Sequence, residues 1–89
     1  MQCAVYDTYV TKRDSAMMHF DIIVPHDTPF DKVIGFGKKY LDRVGQAGQK
    51  ITTQECKFCH IEKVSPEIED TIHSQGYYIL AMQGCPTIS

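Results

Sequence analysis

Two stretches near the N-terminus decide the fold: CAVYDTYV at residues 3–10 and MMHFDIIV at residues 17–24. Both are rich in β-branched and aromatic residues, which are typical of β-strands. The polar segment TKRDSA at residues 11–16 lies between them and predicts a loop. The chain therefore begins with a predicted antiparallel hairpin.

The strand pattern alone does not fix the pairing register of this hairpin. One register places Tyr6 and Thr8 opposite Asp21 and His19, whereas a shift of one residue places Asp7 opposite Asp21. Directly opposed carboxylates repel each other, so we expect the first register. It predicts a polar cluster of Tyr6, Thr8, His19 and Asp21. A histidine beside carboxylates serves either as a general base or in a cross-strand hydrogen-bond network, and the network is the more common case.

A helix is predicted after the hairpin. Thr28 is suited to cap it, Pro29 favours its first position, and Gly45 favours its end. Between these signals, apolar or small residues recur at helical spacing, namely Val33, Phe36, Gly37, Tyr40, Leu41 and Val44. Gly37 on this apolar stripe suggests a close approach of the helix backbone to the sheet.

The C-terminal half contains one strong helix start and one strong strand. Ser-Pro-Glu at residues 65–67 predicts the beginning of a second helix. YYILAM at residues 77–82 is the most strand-like run in the chain and predicts a central strand. Between the two helices, Thr52 and Glu55 fit a capping box, which predicts a short helical turn over residues 54–58.

These elements predict the α+β class. The order is ββα, a cysteine-bearing connector and then αβ, which we expect to form a single domain over residues 1–89. In this fold, two helices pack on one face of a mainly antiparallel sheet. The expected core comprises Val5, Phe20, Ile22, Val33, Phe36, Tyr40, Ile68, Ile72, Ile79 and Leu80.

Composition narrows the classes of function. The chain has 9 Lys and Arg against 11 Asp and Glu, a net charge of −2, which does not fit a nucleic-acid-binding domain. No apolar run approaches the roughly 20 residues that cross a bilayer. The N-terminus shows no basic stretch followed by an apolar run, so we expect a cytoplasmic protein. Cysteines there are more often free thiols, metal ligands or redox groups than structural disulfides.

One motif carries recognisable chemistry, the sequence CKFCH at residues 56–60. Its C-x-x-C-H spacing is also that of haem c attachment, but that attachment belongs to exported proteins. Structural zinc fits better, with Cys56, Cys59 and Cys85 as ligands and His60 or His73 as the fourth. Zinc is therefore the cofactor that the sequence suggests, and we expect Cys85 to converge on the C-x-x-C pair. A redox dithiol and simple packing of reduced thiols are the alternatives.

Several motifs together resemble a known family. They are YDTYV at 6–10, MHFD at 18–21, ECKFCHIE at 55–62, GYYI at 76–79 and Gly-Cys at 84–85. This pattern resembles a family of small, uncharacterised bacterial proteins catalogued as a domain of unknown function. The resemblance implies a compact cytoplasmic domain of mixed helices and strands. It implies no activity, substrate or cofactor.

Two classes of function follow from the sequence. The first is a non-catalytic binding or assembly module, with or without a structural Cys/His metal site. The second is a thiol-redox protein or small enzyme that uses Cys56 and Cys59. The expected partner is a protein or a small molecule, with no nucleic acid and no membrane. A weak homodimer would form if a second copy covered an exposed sheet edge.

Overall fold

A computed structural model describes residues 1–56, 59 and 61–86 of the chain. The elements follow the order ββαβαβ. They are β1 (Cys3–Thr11), β2 (Met17–Pro25), α1 (Phe30–Arg43), β3 (Ile51–Glu55), α2 (Pro66–Gln75) and β4 (Tyr78–Gln83). Within the described residues, neither helix is long and apolar enough to cross a membrane.

The four strands form one antiparallel sheet in the order β3-β1-β2-β4. The predicted hairpin is confirmed, and its two nine-residue strands lie at the centre of the sheet. The prediction of a central strand over residues 77–82 is wrong, because β4 is an edge strand. Its pairing with β2 is interrupted by a register shift between His19 and Phe20. Among the described residues, β2 is the one strand that pairs with β4.

Residues 51–55 form a strand where the sequence predicted the approach to a helical turn. Ile51 pairs with Val10 and Glu55 pairs with Tyr6, so the whole segment extends along the free edge of β1. Pairing with a neighbouring strand has overridden the local capping-box preference. The remainder of the predicted turn, at residues 57 and 58, lies outside the described residues.

One face of the sheet packs against α1. The alternation of strand side chains directs the even-numbered residues of β1 and β2 to this face. Together with residues of α1 and the residue before β4, they form the main core. This core consists of Ala4, Tyr6, Val10, Met18, Phe20, Ile22, Val24, Val33, Tyr40, Leu41 and Tyr77. The predicted close approach at Gly37 is confirmed, since a Cβ there would lie 3.1 Å from Ile51 Cδ1. Pro29 occupies the N-cap of α1 without a side-chain cap, so Thr28 does not cap it.

The opposite face packs against α2. Its core is a smaller cluster of Cys3, Val5, Ile23 and Ile72, which Ile61, Val64, Ile68 and Tyr78 border. The α+β class, with two helices and an antiparallel sheet, is confirmed. The expectation that both helices share one face is wrong, because Val5 and Ile23 are apolar on the face that α1 does not cover. The predicted cap of α2 is present, with Ser65 accepting a hydrogen bond from the Ile68 amide.

Most of the expected core residues are buried or packed against the core. Leu80 is the exception, with 43% of its surface exposed. It lies opposite Asp21, on the α2 face of the edge strand. An edge strand has a neighbour on one side only, and α2 does not extend far enough to cover this position.

Candidate functional site

The observed hairpin register is the one that the sequence argument rejected. Asp7 lies directly opposite Asp21, while Tyr6 pairs with Ile22 and Thr8 pairs with Phe20. Tyr6 and Thr8 therefore point to the main core, away from Asp21 and its neighbours. The predicted cluster of Tyr6, Thr8, His19 and Asp21 is split between the two faces of the sheet.

Thr8 makes its hydrogen bonds within the main-core face. Its hydroxyl lies 2.8 Å from the hydroxyl of Thr53 and 3.1 Å from the carbonyl oxygen of Tyr6. These bonds link β1 to β3 and leave Thr8 fully buried. Its role is structural, as is that of Tyr6, whose ring packs against Phe30.

A different polar cluster forms on the α2 face from Asp7, His19 and Asp21. The Nε2 atom of His19 lies 3.7 Å from Oδ1 of Asp7 and 3.8 Å from Oδ1 of Asp21. The two strands hold these side chains in place because Asp7 and Asp21 are paired and His19 lies two residues from Asp21. The ring of Tyr9 stacks on the imidazole at 4.2 Å with an interplanar angle of 6°, which fixes the orientation of His19.

Two atoms at the centre of this cluster are buried without a partner. Neither Nε2 of His19 nor Oδ1 of Asp21 has a hydrogen bond to any described residue. Asp21 retains only 8% of its surface, and buried polar atoms are ordinarily hydrogen-bonded. An unpaired polar group in such a place costs about 1–3 kcal/mol, so the arrangement favours a proton or a ligand that would satisfy it.

The environment of Asp21 raises its pKa to about 6. Burial is the largest cause, followed by a hydrogen bond with Asp7 and the negative charge of Asp7, while His19 acts in the opposite direction. A protonated Asp21 can donate to Asp7, and this sharing of one proton makes the opposed carboxylates tolerable. The sequence argument assumed two ionised carboxylates and for that reason chose the wrong register.

The cluster lies in the half of the α2 face that no helix covers. The covered half contains Cys3, Val5 and Ile23 beneath α2. In the open half, Tyr9 and Met17 are exposed to 44% and 54% of their surface. The strands thus continue beyond α2 and present their outer side chains on an accessible surface.

A groove of about 510 Å³ runs from the cluster towards the β3 edge of the sheet. It is lined by Asp7, Tyr9, Thr52, Thr53, Gln54, Glu55 and Cys56. Asp7 carries a carboxylate on this face, whereas Glu55 pairs with Tyr6 and directs its side chain to the other face. None of the described lining residues is a lysine or an arginine. The groove is therefore acidic, with one aromatic ring and several uncharged hydrogen-bonding groups.

The predicted zinc ligands are not assembled in one place. Cys56 and Cys59 form a disulfide, with their Cα atoms 5.2 Å apart. Cys56 follows β3 and Cys85 follows β4, which are the opposite edges of the sheet. Three strand spacings separate those edges by about 14 Å. The expected convergence of Cys85 with the other two cysteines is wrong, and His60 lies outside the described residues.

Cys85 has a structural environment of its own. Its thiol donates a hydrogen bond of 3.3 Å to the backbone carbonyl of His19. It also lies beside Tyr40, whose pKa is raised mainly by burial and then by its hydrogen bond with Cys85. This contact fastens the end of β4 to the main core.

The register that the sequence argument chose did not place Asp7 on the face of His19 and Asp21, and Tyr9 was not considered. The alternation of side chains along each strand was the signal that could have identified them. Asp7 and Tyr9 are two residues apart on one strand, as His19 and Asp21 are on the other. Only the register decides whether these two pairs share a face.

Fold and site together define a small α+β domain whose central hairpin carries an acidic and aromatic surface. The sequence model of a family described as a domain of unknown function (DUF2024) matches residues 1–82, and the chain belongs to that family. This confirms the resemblance. The chain is also similar to protein NE1680 from Nitrosomonas europaea, a structural genomics target solved by NMR. The identity is 38% over 96% of this chain and 99% of the other, with a TM-score of 0.77. No curated protein matches the chain.

Proposed function

We propose that this protein is a non-catalytic binding domain that holds a small, positively charged ligand on the open half of its α2 face. The observation that carries the proposal is the groove that Asp7, Tyr9, Thr52 and Gln54 line, which adjoins the buried cluster of Asp7, His19 and Asp21. The α1 face and the other half of the α2 face form apolar cores with the two helices.

The chemistry of the groove supports a cation over an anion. The carboxylate of Asp7 attracts positive charge, and none of the described lining residues is a lysine or an arginine. Tyr9 offers an aromatic surface that is 44% exposed, and a cation over such a ring gains about 0.5–1 kcal/mol. Thr52 and Gln54 supply hydroxyl and amide groups that orient a ligand.

Charge-matched probes test this proposal. N-acetyl-arginine amide and N-acetyl-glutamate amide would each be titrated into ¹⁵N-labelled protein while backbone amide shifts are recorded. We expect the arginine probe to move the amides of Tyr9, Thr52 and Gln54 and to leave those of α2 unchanged. The glutamate probe should cause no localised shifts.

Two substitutions in the groove sharpen the test. Asp7→Asn removes the carboxylate, and Tyr9→Leu removes the aromatic face while keeping an apolar side chain. Each should lower the affinity for the arginine probe by up to about fivefold, which is the range expected for exposed charge and cation–π contacts. Asp70→Asn, at an exposed position on α2, is the matched control and should change nothing. Equal shifts with the two probes would refute a cation-binding groove.

The disulfide between Cys56 and Cys59 favours a second candidate function, reversible thiol redox chemistry. Cys56 lines the groove, and Cys59 is exposed, so a second dithiol can reach the bond. Reduction by such a dithiol adds two electrons and two protons to the disulfide and leaves the reductant as a disulfide. Only two residues separate the cysteines, so the disulfide closes a short loop that follows β3.

Thiol counting in the presence of dithiothreitol tests this candidate. We expect two further titratable thiols after reduction under native conditions and their loss on reoxidation, with an unchanged circular dichroism spectrum. Cys56→Ser should abolish the change, whereas Cys85→Ser should leave it intact. A disulfide that resists dithiothreitol until the protein unfolds would exclude a redox role.

A further inference from the structure

The cluster at the inner end of the groove offers three ligand atoms to one point. One oxygen of Asp7, one of Asp21 and Nε2 of His19 all lie within 4.8 Å of one another. They come from two central strands, which are the most firmly held elements of the sheet. The three side chains belong to the same face because they occupy alternating positions.

We propose that Asp7, His19 and Asp21 bind a divalent first-row transition-metal ion. This inference rests on the proposed cation-binding function and specifies one ligand for it. The site differs from the cysteine site that the sequence suggested, since it uses oxygen and nitrogen ligands from the hairpin.

The spacing of the ligand atoms supports a shared ion. Ligands at about 2.1 Å from a tetrahedral metal lie roughly 3.4 Å apart. The two distances from Nε2 of His19, 3.7 Å and 3.8 Å, exceed that value by only a few tenths of an ångström. They are also longer than hydrogen bonds, so the imidazole faces both carboxylates without bonding to either.

The unpartnered atoms supply an independent argument. Nε2 of His19 and Oδ1 of Asp21 point into the cluster, and neither has a hydrogen bond to a described residue. The Asp21 side chain is 11% exposed and its Oδ1 atom is buried, so water satisfies that oxygen poorly. A bound cation would coordinate both atoms and would neutralise the opposed carboxylates of Asp7 and Asp21.

The donor set indicates the kind of ion. One imidazole nitrogen with two carboxylates suits zinc, manganese, iron or cobalt, whereas calcium and magnesium prefer oxygen ligands alone. Three protein ligands leave at least one coordination position open. The stacked ring of Tyr9 restrains the imidazole, which limits the reorganisation that binding requires.

Manganese is the most discriminating probe, because thiolates select softer ions and the free cysteines would not compete. Substoichiometric Mn²⁺ would be added to ¹⁵N-labelled protein. We expect paramagnetic broadening to begin at the amides of Asp7, His19 and Asp21 and to reach exposed positions on α2, such as His73, only later. Titration calorimetry with Mn²⁺ and Zn²⁺ would give the affinities, with zinc the tighter ion.

Substitutions separate a built site from scattered surface binding. Asp21→Asn and His19→Gln should each weaken Mn²⁺ binding at least tenfold. The controls Asp70→Asn and His73→Gln remove the same groups from exposed positions on α2 and should bind as the parent does. If His19→Gln fails to fold, Asp7→Asn replaces it, since the Asp7 side chain is 43% exposed.

The outcomes also distinguish this inference from the proposed function. Broadening without preference for the cluster, or unchanged binding in Asp21→Asn and His19→Gln, would overturn the metal site. If the arginine probe still shifted the amide signals of Thr52 and Gln54, the result would support the cation-binding groove and not the metal site. Conversely, Mn²⁺ binding that depends on Asp21, with no response to the arginine probe, would support the metal site and refute the groove for organic cations.

Discussion

The two faces of the sheet are built by the same strands and serve different purposes. On the α1 face, the hairpin residues are apolar except for the buried Thr8, and they pack against α1. On the α2 face, Val5 and Ile23 are covered, and then the composition changes to Asp7, His19 and Asp21. The comparison shows that alternation along two strands can make one face an apolar core and leave half of the other polar.

The largest expected effect comes from a substitution on the α1 face. Phe20 is fully buried and contacts Tyr40 edge to face at 4.7 Å. Phe20→Ala should lower the free energy of unfolding by about 3–5 kcal/mol, because it removes a large buried ring and leaves a cavity. Urea denaturation followed by circular dichroism measures this. Tyr9→Ala on the open face should cost less than about 1 kcal/mol, and similar losses for the two variants would contradict the division between faces.

The covered half of the α2 face should give an intermediate effect. Ile72 is buried in the smaller cluster, and Ile72→Ala should cost about 2–3 kcal/mol in the same denaturation measurement. We place it at the low end of the range for isoleucine because few residues enclose this cluster. Ile68→Val, at a half-buried position on the same helix, is a control with a smaller loss. A cost for Ile72→Ala as large as that of Phe20→Ala would show that both faces stabilise the domain equally.

The open half of the α2 face should behave in the opposite way, since removing a charge there stabilises the protein. The pKa of Asp21 is about 6 in the folded state and near 4 in an unfolded chain. The folded protein therefore binds this proton more tightly, and its contribution to stability is complete below pH 4. That contribution is lost as the pH rises through 6, and its size is at most about 3 kcal/mol.

Asp21→Asn should remove this pH dependence and raise the free energy of unfolding at pH 7 by about 1–2 kcal/mol. Urea denaturation of the parent and the variant at pH 4, 5, 6 and 7, without added metal, measures the difference. Asp70→Asn should follow the parent at every pH. If Asp21→Asn destabilised the protein at pH 7, the opposed carboxylates would be a stabilising pair and the cluster would not be strained by its charges.

Local sequence signals predicted the elements that carry strong signals of their own. The hairpin strands, α1 with its close approach at Gly37, and α2 with its Ser65 cap are confirmed by the structure. Such signals could not predict the strand at residues 51–55. Pairing with the free edge of β1 is more favourable there than the helical turn that the capping-box pattern indicates. The edge position of β4 could likewise not be predicted, since an apolar strand-like sequence occurs both at the centre and at the edge of a sheet.

The candidate site was half visible. His19 and Asp21 were singled out correctly as members of a polar cluster, but Tyr6 and Thr8 were assigned to it in place of Asp7. A slip of one residue moves every side chain of a strand to the other face, so one error in register exchanged the partners. The error came from treating Asp7 and Asp21 as two fixed charges, although burial allows them to share a proton.

The sequence by itself determined the α+β class, the hairpin and the presence of His19 and Asp21 in a polar cluster, because these follow from composition, periodicity and capping within short segments. The tertiary structure alone decided the strand order, the placement of the helices on opposite faces, and the separation of Cys85 from the disulfide of Cys56 and Cys59. It also decided that Asp7 meets Asp21 beside His19. These outcomes depend on contacts between residues distant in the chain, whose free energies are set by burial and pairing that no local pattern records.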